Sequence, residues 1–271
     1  MFMHTRQEQL EAFSRMLDVL NELREKCPWD HKQTIQSLRP NTIEETYELS
    51  EAILGGNMAD IREELGDIIM HIVFYSKIGE ESKQFDIADV CNAVCDKLIY
   101  RHPHVYPPKD GVLTQVTSSE QVKAQWEQLK TQEKEGNKTV LGGVPESLPA
   151  LIKAYRIQDK ARGVGFDWDE KEQVWTKVKE EIQEFEAEMK AEKLSKEKAT
   201  AEFGDVMFSL INAARLYHIN PDNALEQTNR KFICRFNYLE QRVKEQGRNL
   251  KEMTLQEMDQ FWDEAKASEQ K

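Results

Sequence analysis

The sequence predicts an all-α protein built from two tandem helical-bundle domains, each with an antiparallel pair of carboxylate-rich helices. Three observations carry this reading. Nearly every segment has apolar residues at helical spacing, and no useful length alternates at the period of two that a half-buried strand requires. Proline, glycine and asparagine punctuate these segments. Four motifs also recur in one order at offsets of 134 to 138 residues.

The first helix is expected over about 6–26, ending at Cys27-Pro28. Arg39-Pro40-Asn41 reads as a break before a helix over 41–55. Gly55-Gly56-Asn57 separates that helix from one over 58–78. Helices over 86–101 and 119–133 complete a first copy spanning 1–133. The glycine- and proline-bearing stretch around 134–149 reads as a linker. The second copy, 150–271, is expected to hold helices over about 148–161, 170–193, 197–218, 222–246 and 255–267. Asn220-Pro221-Asp222 marks the start of the fourth, because proline suits the first helical position.

The repeat pairs Glu45-x-x-Glu48 with Glu181-x-x-Glu184, and Glu64-Leu-Gly-Asp67 with Glu202-Phe-Gly-Asp205. It also pairs Lys97-x3-Arg101 with Lys231-x3-Arg235, and Trp126-x3-Lys130 with Trp262-x3-Lys266. Cys27-Pro-Trp-Asp30 loosely matches Gly165-Phe-Asp-Trp168.

Composition excludes several classes. With Asp+Glu 49 against Lys+Arg 37, the net charge is −12. That disfavours a nucleic-acid polymer, whose backbone binds basic surfaces. It permits nucleotides, because a divalent cation can bridge acidic side chains and a polyphosphate. No run of about 18 apolar residues occurs and the N-terminus lacks an apolar leader core, so a cytoplasmic protein is expected. Cys27, Cys91, Cys95 and Cys234 read as buried free thiols. A zinc site from Cys91 and Cys95 with His102 and His104 is the weaker alternative, lacking CxxC spacing.

The acidic motifs suggest a metal site. Residues three apart share a helix face, so Glu45 with Glu48, and Glu64 with Asp67, each project to one side. Two antiparallel helices can bring the pairs face to face. Four carboxylates in one small volume raise each other's pKa unless a cation joins them. Oxygen donors favour Mg²⁺, with Mn²⁺ a substitute. A solvated acidic face is the alternative. Against it, Ile61–Ile78 is apolar around almost its whole circumference except Glu64, Asp67 and His71, which predicts a buried helix. In copy two the polar stripe is Glu202, Asp205, Ser209 and Asn212. Gly66 and Gly204, mid-helix, suggest close approach of a helix or ligand. Lys231 and Arg235 suit phosphate contacts, although surface ion pairing is their common use. Trp262 with Lys266 is either core or nucleotide-adjacent.

These motifs closely resemble the MazG family of tandem-domain nucleoside triphosphate pyrophosphohydrolases. The resemblance rests on CPWD at 27–30, EETYE at 44–48, ELGD at 64–67, KLIYRHPHVY at 97–106, VGFDW at 164–168, EEIQE at 180–184 and EFGD at 202–205. It covers essentially the whole chain. It implies Mg²⁺-dependent hydrolysis of nucleoside triphosphates to monophosphate and pyrophosphate, broad base tolerance and homodimerisation. The family's metal motif falls on Glu180, Glu181, Glu184, Glu202 and Asp205, and in copy one on Glu44, Glu45, Glu48, Glu64 and Asp67. A second acid often precedes the ExxD glutamate in the family. Glu63 fills that place in copy one, but Ala201 stands there in copy two.

Copy two is the expected catalytic copy. Seven residues after the motif aspartate it has Asn212, able to bond a phosphate or a metal-bound water, where copy one has Phe74, expected to crowd the site. The expected metal ligands are Glu181, Glu184, Glu202 and Asp205. Glu45, Glu48, Glu64 and Asp67 form a second metal site. Glu180 or Glu181 handles the attacking water, Lys231 and Arg235 clamp phosphates, and Asn212, Trp262 and Lys266 line the nucleotide. Two other readings stand beside this one. The first is a narrower enzyme for dUTP or a non-standard nucleotide. The second is a non-catalytic dimerisation module with a structural ion.

Overall fold

The computed structural model describes residues 4–107, 118, 119, 121, 122, 125, 126, 129, 139–168 and 170–269. These are helical, with no strand among them. The chain divides into two compact units, Met1–Ser118 and Ser119–Lys271. Most of the expected helix over 119–133, with Lys130, and the first part of the expected linker lie outside the described residues.

In the first unit α1 (Arg6–Lys26) packs on α4 (Met58–Glu81), and α3 (Ile35–Gly55) pairs with α4 as a hairpin. A short α2 (Pro28–His31) follows α1, and α5 (Ile87–Arg101) rests on α4. Local chemistry sets the ends. Thr5 and Glu8 form a capping box on α1, and Asp86 and Asp89 form one on α5. Gly56 closes α3 at φ 70°, a left-handed position that glycine adopts without a Cβ clash, and Asn57 then caps α4. Leu20, Leu38, Val73 and Phe74 form the core.

One expected boundary is wrong. Helix α3 begins at Ile35, with Pro40 inside it, because Thr34 and Ser37 form a capping box upstream. Pro40 removes the donor that would bond the Gln36 carbonyl. Gln36 is exposed in the first turn, where an unbonded carbonyl costs little.

In the second unit α6 (Ala150–Arg162) packs on α8 (Lys196–Leu216) and α9 (Pro221–Glu245). Helix α7 (Gln173–Lys190) forms the second acidic hairpin with α8, and α10 (Leu255–Glu269) folds back on α9. Val174, Val178, Ala213 and Leu216 fill one core, and Leu239, Val243, Met253 and Phe261 another.

The acidic helices are not buried all round, as their apolar circumference predicts. Leu65 and Ile72 on α4, and Phe203 and Leu210 on α8, are exposed. A unit of a few helices covers one side of each hairpin and leaves the other bare. Gly66 and Gly204 likewise face open space within the chain: a methyl group at either would have no neighbouring atom within 4 Å. The cysteines also differ from expectation: they are free, but Cys91, Cys95 and Cys234 are exposed and Cys27 half-buried.

Candidate active site

The α7–α8 hairpin brings Glu181, Glu202 and Asp205 together, each offering an oxygen within 4.8 Å of the others. Glu181 is 7% exposed. The α3–α4 hairpin does the same with Glu45, Glu48 and Glu64. These triads are the clusters of three or more metal-capable groups among the described residues, and Cys91, Cys95, His102 and His104 belong to neither.

Two expected ligands stand outside the triads. Glu184 is exposed, yet its carboxyl is raised above the ordinary range by desolvation and by the charges of Glu181, Glu180 and Glu202. Glu45 is raised above the ordinary range first by burial and then by the charge of Asp67, ahead of Glu48 and Glu64. Glu64 is raised by desolvation and then by Glu48 and Asp67, and its Oε2 is buried without a hydrogen-bond partner. An all-oxygen donor set, mutually raised carboxyls and an orphaned buried oxygen are what a hard divalent cation would resolve.

Copy two also holds a cation of its own. Lys177, one turn before Glu181, places Nζ 2.8 Å from Glu180 Oε1 and 2.7 Å from Glu181 Oε1. These bonds hold its pKa well above the ordinary lysine range. Sequence reading missed Lys177, although its i, i+4 spacing to Glu181 was the available signal.

Beyond Asp205, the same side of α8 carries Phe208, Asn212 and Arg215, spaced three or four apart. Arg215 is buried and ion-paired to both carboxylate oxygens of Asp167, which lies in the VGFDW motif. It also donates to Asn212 Oδ1 at 2.8 and 3.1 Å. Asn212 is thus engaged by Arg215. In copy one, Phe74 does not crowd the triad but packs in the core, with the Arg24 guanidinium 5.7 Å from its ring. Arg24 donates to the Asp30, His31 and Gln33 carbonyls and pairs with Glu81, tying the CPWD turn to the bundle. His71 continues the copy-one stripe, but is buried and bonded through Nδ1 to Thr42 at 2.7 Å.

On α9, Arg235 sits 5.8 Å from the Trp262 ring, and Phe232 packs on the same indole at 5.0 Å. Trp262 is half-buried, while Lys231 and Lys266 are exposed, the latter pairing with Asp263 at 3.5 Å. Of the matching copy-one pair, Lys97 is exposed and Arg101 buried.

With this geometry in place, comparison with known proteins is decisive. A family described as the MazG nucleotide pyrophosphohydrolase domain matches residues 33–106. The chain is 38% identical to "Nucleoside triphosphate pyrophosphohydrolase/pyrophosphatase MazG" of Thermotoga maritima over 95% of this chain and 97% of the relative. The chain belongs to the MazG family. It is also 37% identical to a "Nucleoside triphosphate pyrophosphohydrolase" of Escherichia coli over 96% of this chain and 99% of that one. An uncharacterised Bacillus subtilis protein, YabN, is 44% identical over 96% of this chain and 52% of its own length. The MazG match falls on the first acidic hairpin, and the second repeats its arrangement of an acidic helix pair with a carboxylate triad.

Proposed function

We propose that the chain hydrolyses nucleoside triphosphates to nucleoside monophosphate and pyrophosphate, with Mg²⁺ as cofactor, Mn²⁺ as a substitute and broad base tolerance. Copy two is the main catalytic copy. The observation that carries this reading is the Glu181–Glu202–Asp205 triad on the side of α8 that continues into Phe208, Asn212 and Arg215. Family membership supports the reaction class. In copy one the position equivalent to Asn212 is Phe74, closed within the core, which leaves that triad as a second ion site.

Glu181, Glu202 and Asp205 would hold the cation, with Glu184, one turn after Glu181 on α7, as the fourth ligand. A divalent cation held by these carboxylates would supply charge neutralisation for the polyphosphate and acidification of the attacking water. Glu180 or Glu181 orients the attacking water and accepts its proton. The water oxygen bonds to the α-phosphorus, the α–β bridging bond breaks, and the pyrophosphate leaves with the electron pair. Lys231 and Arg235 neutralise the phosphate oxygens as charge builds. Trp262 and Lys266 border the nucleotide, the indole already holding Arg235 in place. No described helix is long and apolar enough to cross a membrane, and free nucleotides in the cytoplasm are the substrate pool we assign.

Pyrophosphate release from ATP, GTP, CTP, UTP and dUTP, with and without Mg²⁺, tests the reading. Comparable turnover of all is expected, abolished by chelation. One strongly preferred base establishes the narrower enzyme, and no turnover a non-catalytic module. Glu202→Ala or Asp205→Ala should cost about a hundredfold or more in kcat, with helicity kept. Glu48→Ala and Glu64→Ala should cost little. The reverse pattern would move catalysis to copy one.

A further inference from the structure

Lys177 has no step of its own in the hydrolysis, yet it stands inside the copy-two cluster. Its Nζ lies 2.7 Å from Glu181 Oε1 and 2.8 Å from Glu180 Oε1. Glu181 belongs to the triad and its side chain is 10% exposed, against 39% for Lys177. The contact is local, because Lys177 precedes Glu181 by four residues on α7. Its charge also reaches Glu184, where it works against the desolvation and the Glu181 charge that raise that carboxyl.

Copy one is built differently. The residue four before Glu45 is Asn41, which carries no charge. Burial and then the neighbouring acids raise Glu45 and Glu64, and no lysine or arginine among the described residues offsets them. Glu64 Oε2 is left buried without a partner. Copy one thus presents uncompensated acids to a cation, and copy two presents acids that already hold an ammonium.

An ammonium and a divalent ion repel, and in copy two both would lie against Glu181. Charges of one and two units a few ångströms apart repel appreciably even where water screens them. The ion is then held less tightly, or the lysine leaves. Leaving is mechanically easy, because the stem is flexible and partly in water. It still gives up two carboxylate partners, and a polyphosphate offers charged oxygens in exchange. We infer that Lys177 is a resident counter-cation that disfavours loading of copy two with a divalent ion alone and yields when ion and polyphosphate arrive together, whereas copy one takes up an ion by itself. The inference rests on the reading of the copy-two triad as the catalytic metal site. By linkage, ion and nucleotide strengthen each other's binding equally, and the displacement of Lys177 supplies part of that coupling.

Mn²⁺ titration followed by electron paramagnetic resonance reads the ion without requiring hydrolysis. In the full chain carrying Glu48→Ala with Glu64→Ala, the copy-one triad is removed and copy two is read by itself. Adding Lys177→Met to this background should tighten Mn²⁺ binding without nucleotide by about tenfold or more. Lys177→Arg, which keeps the charge, should bind as the background does. α,β-Methylene-ATP, whose α–β linkage resists hydrolysis, should strengthen Mn²⁺ binding in the background at least about tenfold more than in Lys177→Met. Unchanged or weaker Mn²⁺ binding in Lys177→Met would reduce the lysine to a support for Glu181 and overturn the inference. An equal gain from the analogue in both proteins, or equal tightening in Lys177→Arg, overturns it as well. Each of these outcomes leaves the metal reading of the triad standing. Absence of Mn²⁺ binding from all these proteins, with and without the analogue and with helicity kept, overturns the inference and the metal reading together.

Discussion

At the scale of single residues, Arg215 joins the ends of the second site. Its guanidinium is 5% exposed and grips Asp167, which fastens the VGFDW turn to α8. Burial opposes ionisation of Asp167, but the hydrogen bonds from Arg215 and the Trp168 amide, with the charges of Arg215 and Arg162, hold its carboxyl below the ordinary range. Arg215→Met should therefore destabilise the fold by about 3 kcal/mol, because it strands a partly buried carboxylate. The sign with pH follows from the lowered folded pKa. The pair's contribution is complete above the unfolded aspartate value of about 3.9 and disappears as pH falls through the folded value. The gap in Tm between wild type and Arg215→Met should be wide at pH 7 and narrow near pH 3. A gap constant across that range would mean that the pair does not stabilise the fold. The carboxylates were legible in the sequence because acids three apart must share a helix face. Lys177 was legible in its i, i+4 spacing to Glu181 but was passed over, whereas Gln158 and Asp167 were not legible, since each matters through a partner 50 or 48 positions away that only the packed helices supply.

At the scale of elements, helical periodicity and turn residues located the long helices well. Pro40 misled because local capping by Thr34 and Ser37 outweighs one lost backbone bond at an exposed first turn. The apolar circumference of α4 and α8 also misled, since periodicity reports which faces avoid water and not which chain covers them. Gly204 gives an element-scale test. A methyl there meets open space in the single chain, and alanine favours a helix interior over glycine by about 1 kcal/mol. If α8 served the fold alone, Gly204→Ala would raise Tm and leave hydrolysis intact. Gly204 stands about 100° round the helix from Asp205, however, and we assign the open space at it to a second copy of the chain that completes the site. The expected result is a higher or unchanged Tm with at least about a tenfold loss of kcat/KM. Full activity in the stabilised variant would show that nothing approaches α8 at this position.

At the scale of the whole molecule, both acidic hairpins carry apolar surface that their own units leave bare. Leu65 is 51% exposed and Phe203 52%, with Ile72 and Leu210 beside them on the same helices. Large aliphatic and aromatic side chains at helical spacing on two repeats are more than scattered surface residues, and contiguous patches of this kind mark association surfaces. A second copy of this chain is the partner we assign, because a self-complementary helix face closes under twofold symmetry and needs no other component. Light scattering should give about twice the 31.6 kDa chain mass at micromolar concentration. The double substitution Phe203→Glu with Leu210→Glu should shift the mass toward the monomer, since each charge would face desolvation in the interface. Neither residue belongs to the cores of the second unit, so helicity should survive. A wild-type protein that scatters as a monomer, or a double variant that remains a dimer, would show that α8 does not form the interface. If the variant becomes monomeric and also loses pyrophosphate release while its helicity is retained, the second copy completes the site rather than merely covering it.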